Sequence, residues 1–107
     1  MEKNFEISSI EVERFKNERF TWIYIHAIAP KQDDFDAAAD LALLLRNNPL
    51  CERVVSTGRD LDLEFLCQGF TFRLTFNSIQ GIAIECDYAF TEQVKAMLIP
   101  FCNIRLD

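Results

Sequence analysis

The chain has 107 residues, half of them apolar, and a formal net charge of −6 from 17 acidic and 11 basic side chains. This length and composition predict one globular domain, residues 1–107, with a core of its own, and they exclude a disordered chain. The basic side chains are scattered rather than clustered, so we expect neither nucleic acid nor an anionic membrane as a partner of this acidic protein.

No apolar run in the sequence approaches the roughly 20 residues that a membrane-spanning helix needs, and the first residues lack the apolar core of a signal peptide. We therefore expect a cytoplasmic protein. The cysteines, at positions 51, 67, 86 and 102, have no C-x-x-C spacing, and the chain holds a single histidine. We expect four free thiols and no metal site. The glycines stand alone, so we expect no phosphate-binding loop and no cofactor.

The first predicted strand covers residues 5–14 and changes phase halfway. Phe5 and Ile7 lie at odd positions, whereas Ile10 and Val12 lie at even positions. A β-bulge at Ser8-Ser9 would let one strand use both apolar pairs; alternatively, the strand begins only at the second serine. A polar turn centred on Asn17-Glu18 then predicts a hairpin. Its expected pairs are Val12 with Ile23, Ile10 with Ile25 and Phe15 with Phe20.

The second predicted strand, residues 20–28, is apolar or aromatic on both faces. One face carries isoleucines and an alanine. The other carries an aromatic row, defined as Phe20, Trp22, Tyr24 and His26. A strand of this kind is usually covered on both sides or makes contacts on its second side. We predict that the row lies opposite the helices as a candidate interface. The alternative is cover within one subunit, by Phe5 and Ile7 or by long side chains of neighbouring strands.

The pattern of residues 33–48 predicts a helix. Asp33 or Asp34 can cap its start, the acidic first turn and Arg46 near the end both suit the helix dipole, and Pro49 stops it. Helical spacing predicts a buried stripe of Phe35, Ala38, Ala39, Ala42 and Leu45.

The segment after this helix allows two interpretations. Arg53-Val54-Val55-Ser56 is either a short edge strand or the start of one long strand that is broken at Gly58. The local pattern favours neither of them.

Residues 61–87 alternate between apolar and polar in three successive runs, which predicts a three-stranded meander with one wet face. A two-residue loop at Gln68-Gly69 and a loop at residues 77–81 allow one register that satisfies both hairpins. The expected pairs are Cys67 with Phe70, Phe65 with Phe72, Leu63 with Leu74, Leu61 with Phe76, Phe76 with Ile82, Leu74 with Ile84 and Phe72 with Cys86. This register separates Cys67 from Cys86 by roughly 10 Å, beyond the reach of a disulfide.

The last predicted helix begins at Thr91, which we expect to be its N-cap. One buried face is predicted by the helical spacing of Val94, Met97, Leu98 and Phe101. Pro100 clashes with the carbonyl four residues before it. The regular helix should therefore end near Leu98 or Ile99, or continue with a kink to Cys102.

An α+β domain is predicted by the order of the elements, which is strand, strand, helix, optional strand, three strands and helix. We expect a mainly antiparallel sheet of about five strands with two helices packed on one face, a two-layer sandwich. The alternative is a ferredoxin-like βαββαβ arrangement, with strands from residues 20 and 61 onward and a last strand at residues 103–106.

No set of side chains predicts catalysis. His26 is the only imidazole, and its neighbours in the row are aromatic, so we expect a structural or interface histidine. Glu64, Arg73 and Glu85 form a cross-strand charge row that could mimic a carboxylate pair, and we expect a solvated row of ion pairs instead. Cys51 lies outside the periodic apolar runs, but no histidine is near it in sequence to activate a nucleophile.

Two hypotheses on function follow from these patterns. The first is a non-catalytic protein-interaction or regulatory domain, either a homodimer or an acidic regulator of another protein, because the sequence combines an aromatic row with no catalytic set. The second is a small-ligand-binding protein or enzyme with a pocket between helices and sheet.

Overall fold

The strands form where apolar and polar residues alternate, the helices form where apolar residues recur at helical spacing, and the element order is ββαββββα. The computed structural model describes residues 6–14, 19–28, 34–56, 61–79 and 81–102. The strands are β1 (Glu6–Arg14), β2 (Phe20–Ile28), β3 (Cys51–Ser56), β4 (Asp62–Cys67), β5 (Phe70–Asn77) and β6 (Gly81–Asp87). The helices are α1 (Asp34–Arg46) and α2 (Thr91–Leu98), with short 3₁₀ turns at Tyr88–Phe90 and Ile99–Phe101.

The described strands form one antiparallel sheet in the spatial order β1-β2-β6-β5-β4-β3. The predicted α+β class is confirmed. The sheet has six strands rather than about five, because residues 51–56 form the short edge strand that is one of the two interpretations above. The element order is not βαββαβ, so the ferredoxin-like alternative is wrong. Its last strand, at residues 103–106, lies outside the described residues.

The register of β4, β5 and β6 agrees with the prediction at every pair within these strands. Phe72, for example, lies opposite Phe65 on one side and Cys86 on the other. Leu61 lies just before β4, where its carbonyl accepts a hydrogen bond of 3.0 Å from the Phe76 N–H. Gly69 has a φ of 87°, which glycine adopts without a steric penalty, so the two-residue turn can form. The turn and the buried face specify the same register.

Both helices pack on the face of the sheet that carries the alternating apolar residues. Phe65, Phe72 and Leu74 belong to one core with Leu41 of α1 and Leu98 of α2. The rings of Phe65 and Phe72 stack with their centroids 4.8 Å apart. The predicted arrangement of two helices on one face is therefore confirmed.

Helix α1 buries a stripe that differs from the predicted one. Its buried residues are Ala37, Ala38, Leu41, Ala42 and Leu45. Phe35 is 44% exposed, and Ala39 is only half-buried. The Phe35 ring meets the Phe76 ring edge-on, with the centroids 5.9 Å apart. The rotation of the helix that buries Leu41 against the sheet leaves Phe35 at the margin, so the predicted stripe is wrong at these two positions.

The N-terminal hairpin contains the predicted bulge. The register of β1 against β2 shifts between Ile7 and Ser9, so Ser8 is the extra residue, and its hydroxyl donates a hydrogen bond of 2.9 Å to the His26 carbonyl. The pairs Val12 with Ile23 and Ile10 with Ile25 are confirmed. Several expected features lie outside the described residues, namely the centre of the turn, Phe15, Phe5 and Asp33, one of the two candidate caps of α1. Asp34, the other candidate cap, is the first residue of α1.

Helix α2 ends at Leu98 as predicted, and Pro100 lies in the 3₁₀ turn that follows. The start of α2 differs from the prediction, because the preceding 3₁₀ turn puts Phe90 at the N-cap position and makes Thr91 the first helical residue. The Thr91 hydroxyl donates to the Tyr88 carbonyl at 2.9 Å and shares a hydrogen bond of 3.1 Å with a buried threonine of β2. Thr91 therefore ties α2 to the sheet rather than capping it.

All four cysteines are free thiols, as predicted. Cys67 and Cys86 are buried, and β5 separates the strands that carry them. Burial is the main cause that raises the pKa of Cys67 to about 11 from its ordinary value of 9.0, and it also raises the pKa of Cys86. A raised pKa leaves less thiolate, the reactive form of the side chain, at neutral pH.

We expect alkylation of Cys67 by iodoacetamide at about pH 8 to be roughly a hundredfold slower in the folded protein than in the denatured chain, because a shift from 9.0 to about 11 leaves a hundredth of the thiolate. The rate should rise with pH until about pH 11, where the thiolate fraction saturates. Mass spectrometry of quenched time points measures the rate. A rate that does not change between about pH 8 and 10 would contradict control by ionisation and point to opening of the structure.

Candidate functional site

The aromatic row lies on the face of the sheet opposite the helices. The two isoleucines of β2 that alternate with the row are buried in the helix-packed core, so the row points the other way. Trp22 and Tyr24 are half-buried, His26 is exposed and Phe20 is 42% exposed. Within the described part of the chain, no helix packs on this face, which we call the open face.

The expectation that Ile7 covers the aromatic row within one subunit is wrong. Ile7 is fully buried in the core on the helix side, so it does not cover the row, and Phe5 lies outside the described residues. Ala83 of β6 is fully buried although it does not belong to the helix-side core. Tyr24 and Thr75 flank this alanine in the register, and their larger side chains exclude water from it. Tyr24 of the row therefore covers its neighbour on β6, while Phe20 and His26 of the row stay exposed.

Carboxylates flank the row on both sides. Glu11 of β1 lies opposite Tyr24. Glu13 of β1 and Glu85 of β6 lie opposite Trp22 on its two sides. Burial raises the pKa of the Tyr24 phenol, and the charges of Glu13 and Glu11 raise it further. The aromatic rings of the open face therefore lie in a negative field.

At the start of the row, an aromatic ring and a carboxylate hold an arginine of the same chain. Phe20 lies opposite Asp87 in the register of β2 and β6. Arg19 Nε donates a hydrogen bond of 2.7 Å to Asp87 Oδ2, and the guanidinium carbon lies 5.9 Å from the centroid of the Phe20 ring. Trp22 and Glu85 repeat this pairing of ring and carboxylate two residues further along the same two strands.

A shallow depression of about 590 Å³ opens beside these pairs. Its lining includes Phe20, Arg73, Glu85 and Asp87. The depression leaves space for a side chain of a partner next to the carboxylates of β6.

Arg73 of β5 pairs with a carboxylate that the sequence analysis missed. The register places Arg73 opposite Glu64 and Glu85, as predicted. Its guanidinium nevertheless donates two hydrogen bonds to Asp62, from Nε to Oδ1 at 2.6 Å and from Nη2 to Oδ2. Asp62 lies diagonally across from Arg73, within reach of a long side chain, and the fork of the guanidinium suits a bidentate contact. Only the diagonal spacing in the predicted register could have indicated this partner.

A cleft of about 700 Å³ lies on the helix side of the sheet, between α1 and the edge strand β3. Its walls include Ala42, Leu43, Cys51, Val54, Leu61 and Leu63. Glu52 is the one carboxylate among the described lining residues, which include no histidine. The cleft occupies the position that the ligand-binding hypothesis predicts, and its described lining offers no acid–base pair.

His26 completes the aromatic row at the far end of the open face, where it lies opposite Ser9 of β1.

Among the residues that the structure describes, no group of three or more histidine, cysteine, aspartate or glutamate side chains could hold a metal ion. No described helix is long and apolar enough to span a membrane. Comparison of the chain with models of known protein families, with curated proteins and with solved structures found no match.

Proposed function

We propose that this chain is a protein-interaction domain that binds an arginine-containing segment of another protein on its open face. One observation carries the proposal. The register of β2 and β6 sets two aromatic–carboxylate pairs side by side, and the first of them, Phe20 with Asp87, already holds Arg19. The second pair, Trp22 with Glu85, would hold a guanidinium of the partner in the same way.

A guanidinium satisfies both members of such a pair at once. Its edge donates hydrogen bonds to the carboxylate while its flat face stacks on the ring, which the compact ammonium of lysine cannot do. Arg14 shows the ring contact alone within this fold, because its guanidinium carbon lies 3.3 Å from the centroid of the Tyr88 ring. Each contact of this kind contributes about 0.5–2 kcal/mol, so several together support a weak, specific complex.

The charge of the open face also favours a basic partner. Its described carboxylates are Glu11, Glu13, Asp62, Glu64, Glu85 and Asp87. Two of its basic side chains, Arg19 and Arg73, are held in ion pairs by Asp87 and Asp62. A face with this balance attracts a cationic segment and steers its approach.

A second copy of the chain is the other candidate occupant, because the exposed ring of Phe20 and the half-buried Trp22 and Tyr24 would bury apolar area in a homodimer. A twofold contact would bring Glu13 and Glu85 of each copy towards those of the other. Like charges in a desolvated contact are costly unless they stay at its rim. The arginine-containing partner therefore agrees better with the chemistry of this face.

Trp22 is the only tryptophan of the chain, so its fluorescence reports on the occupancy of the open face. We expect hexa-arginine to change the Trp22 emission in a saturable titration, hexa-lysine to bind more weakly and hexa-glutamate to give no change. Glu85→Gln should weaken binding of hexa-arginine by roughly three- to tenfold, because the amide does not provide the charge-assisted hydrogen bond. Glu92→Gln is the matched control, since Glu92 is an exposed residue in the first turn of α2.

Two results would contradict this proposal. If wild type and Glu85→Gln bind hexa-arginine equally, the attraction is non-specific and does not involve the Trp22–Glu85 pair. If the protein ignores hexa-arginine but forms a concentration-dependent dimer in analytical ultracentrifugation, the second copy is the occupant.

A further inference from the structure

Cys51 and Cys67 lie directly opposite each other in the register of β3 and β4. Cys51 is the first residue of β3, and Cys67 is the last residue of β4. Both pack with the core on the helix side of the sheet. The two cysteines therefore meet on the same face of neighbouring strands.

The backbone hydrogen bonds identify the kind of antiparallel pair that the two cysteines form. The Gln68 N–H donates to the Leu50 carbonyl at 3.0 Å, and the Cys51 N–H donates to the Asn48 carbonyl at 2.9 Å. Cys51 and Cys67 are thus a non-hydrogen-bonded pair, in which the Cα atoms are roughly 4.5 Å apart and the side chains approach closely. This separation lies within the range of about 4.4–6.8 Å that a disulfide spans.

The Cys51 side chain also influences the ionisation of Cys67. Burial comes first among the causes that raise the pKa of Cys67 to about 11, and the neighbouring Cys51 raises it further. The Cys51 thiol itself donates a hydrogen bond of 3.8 Å to the Arg53 carbonyl. Cys51 itself is half-buried and lines the cleft between α1 and β3. Cys51 is the more exposed of the two thiols, so a small oxidant that enters the cleft meets it first.

We propose that Cys51 and Cys67 are an oxidation site that forms a reversible disulfide when a peroxide enters the cleft. The Cys51 thiolate attacks one oxygen of hydrogen peroxide, the O–O bond breaks, and the products are the Cys51 sulfenic acid and, after protonation of the leaving hydroxide, water. The Cys67 sulfur then attacks the Cys51 sulfur. The S–S bond forms, the S–O bond breaks, and the departing hydroxide leaves as a second water with the proton of Cys67. The two thiols lose two electrons, which the peroxide gains, and a dithiol reverses the bridge by exchange.

The other two cysteines are placed where they do not compete for this bridge. Cys86 lies on β6, and β5 separates it from the strand of Cys67. Cys102 bridges to Ile7 of β1, at the opposite edge of the sheet from Cys51. The geometry is therefore specific to the pair of Cys51 and Cys67.

A disulfide at this position would fasten the edge strand β3 to β4 and close a loop of about 15 residues. Glu52, which follows Cys51, is the extra residue of a bulge in β3, so the bridge would fix the strand where its ladder is least regular. Oxidation would thereby stiffen one wall of the cleft between α1 and β3.

The test oxidises the reduced wild-type protein with a small excess of hydrogen peroxide, blocks the remaining thiols with iodoacetamide under denaturing conditions and maps the peptides without reduction. We expect a linked Cys51–Cys67 peptide, a loss of about 2 Da from the whole chain and full reversal by dithiothreitol. The melting temperature of the oxidised protein should rise by about 5–15 °C. Cys51→Ser should show neither effect, whereas Cys102→Ser, which removes the other half-buried thiol, should behave as wild type.

Recovery of Cys67 as an alkylated free thiol after oxidation, with Cys51 converted to sulfinic acid or linked to a second chain, would overturn the proposal. The linked peptide is sought in the wild-type protein, so the result does not depend on the folding of any variant. The cleft and the open face lie on opposite sides of the sheet, and the test uses no binding partner, so its outcome does not depend on the proposed function.

Discussion

Replacement of Phe72 by alanine is expected to lower the free energy of unfolding by about 3–5 kcal/mol. Phe72 is 2% exposed, stacks on Phe65 with centroids 4.8 Å apart and lies opposite Cys86. The strands on both sides of β5 are held by their own ladders, so the cavity left by the ring cannot close fully. Unfolding in urea, with equal slopes for wild type and variant, measures the loss.

Phe35→Ala is the matched control, because it removes the same ring from a position that is 44% exposed, and we expect it to cost less than about 1.5 kcal/mol. Phe65→Ala should cost about as much as Phe72→Ala. The double variant should cost less than the sum of the two, because each ring is a main contact of the other. A loss below about 1 kcal/mol for Phe72→Ala would be incompatible with its place in the core.

Trp22→Ala is expected to weaken the binding of hexa-arginine by about tenfold, with little change in the far-UV circular dichroism. The substitution removes the stacking surface between Glu13 and Glu85 and leaves both carboxylates in place. Isothermal titration calorimetry measures the affinity, because this variant has no tryptophan. Trp22→Phe is the matched control, since it keeps a ring and should keep most of the affinity. Unchanged affinity in Trp22→Ala would show that charge alone holds the peptide.

Trp22→Glu distinguishes the two candidate occupants of the open face. The new carboxylate would lie between Glu13 and Glu85, and it would disperse a dimer that packs face to face. We expect the wild type to sediment as a monomer at high micromolar concentration and the variant to sediment unchanged. A wild-type dimer that this substitution converts to a monomer would assign the face to a second copy of the chain.

The central meander can be predicted from the sequence because two independent local features agree on it. Gly69 accepts the positive φ that the tight turn needs, and the alternation from Phe65 to Cys86 buries one face in only one register. The end of α2 follows from equally local chemistry, since Pro100 cannot continue a regular helix.

The orientation of α1 could not be predicted from its own residues. The helix is rich in alanine and leucine, so two overlapping stripes are similarly apolar, and only packing on the sheet selects Leu41 over Phe35. In α1, tertiary structure therefore outweighs local propensity. Thr91 loses the N-cap position for a local reason, because Asp87 caps a 3₁₀ turn at Tyr88–Phe90 that runs directly into α2.

The candidate site could be predicted in part. Alternation along β2 identifies the aromatic row, and the first hairpin places the glutamates of β1 beside it. No local pattern indicates that β6 is the other neighbour of β2, because the two strands are distant in sequence. The position of Glu85 beside Trp22 and the contact of Arg19 with Asp87 therefore arise only in the folded sheet. The pairing of Cys51 with Cys67 could not be predicted either. It depends on β3, which the sequence left open, and on a bulge that shifts the register next to Cys51.

The bulges at Ser8 and Glu52 lie in β1 and β3, the two strands that form the outer edges of the sheet. A regular edge strand offers a row of unpaired backbone groups on which another chain can add a strand. A bulge bends the strand and interrupts that row, and the bridge between Ile7 and Cys102 occupies part of the edge of β1 as well. The inner strand pairs of the described sheet keep an unbroken register. The register shifts of the described sheet therefore lie in its two edge strands, where a regular strand would offer a template for fibril growth. Half of the residues of this chain are apolar, so the bulges protect it against aggregation at these edges.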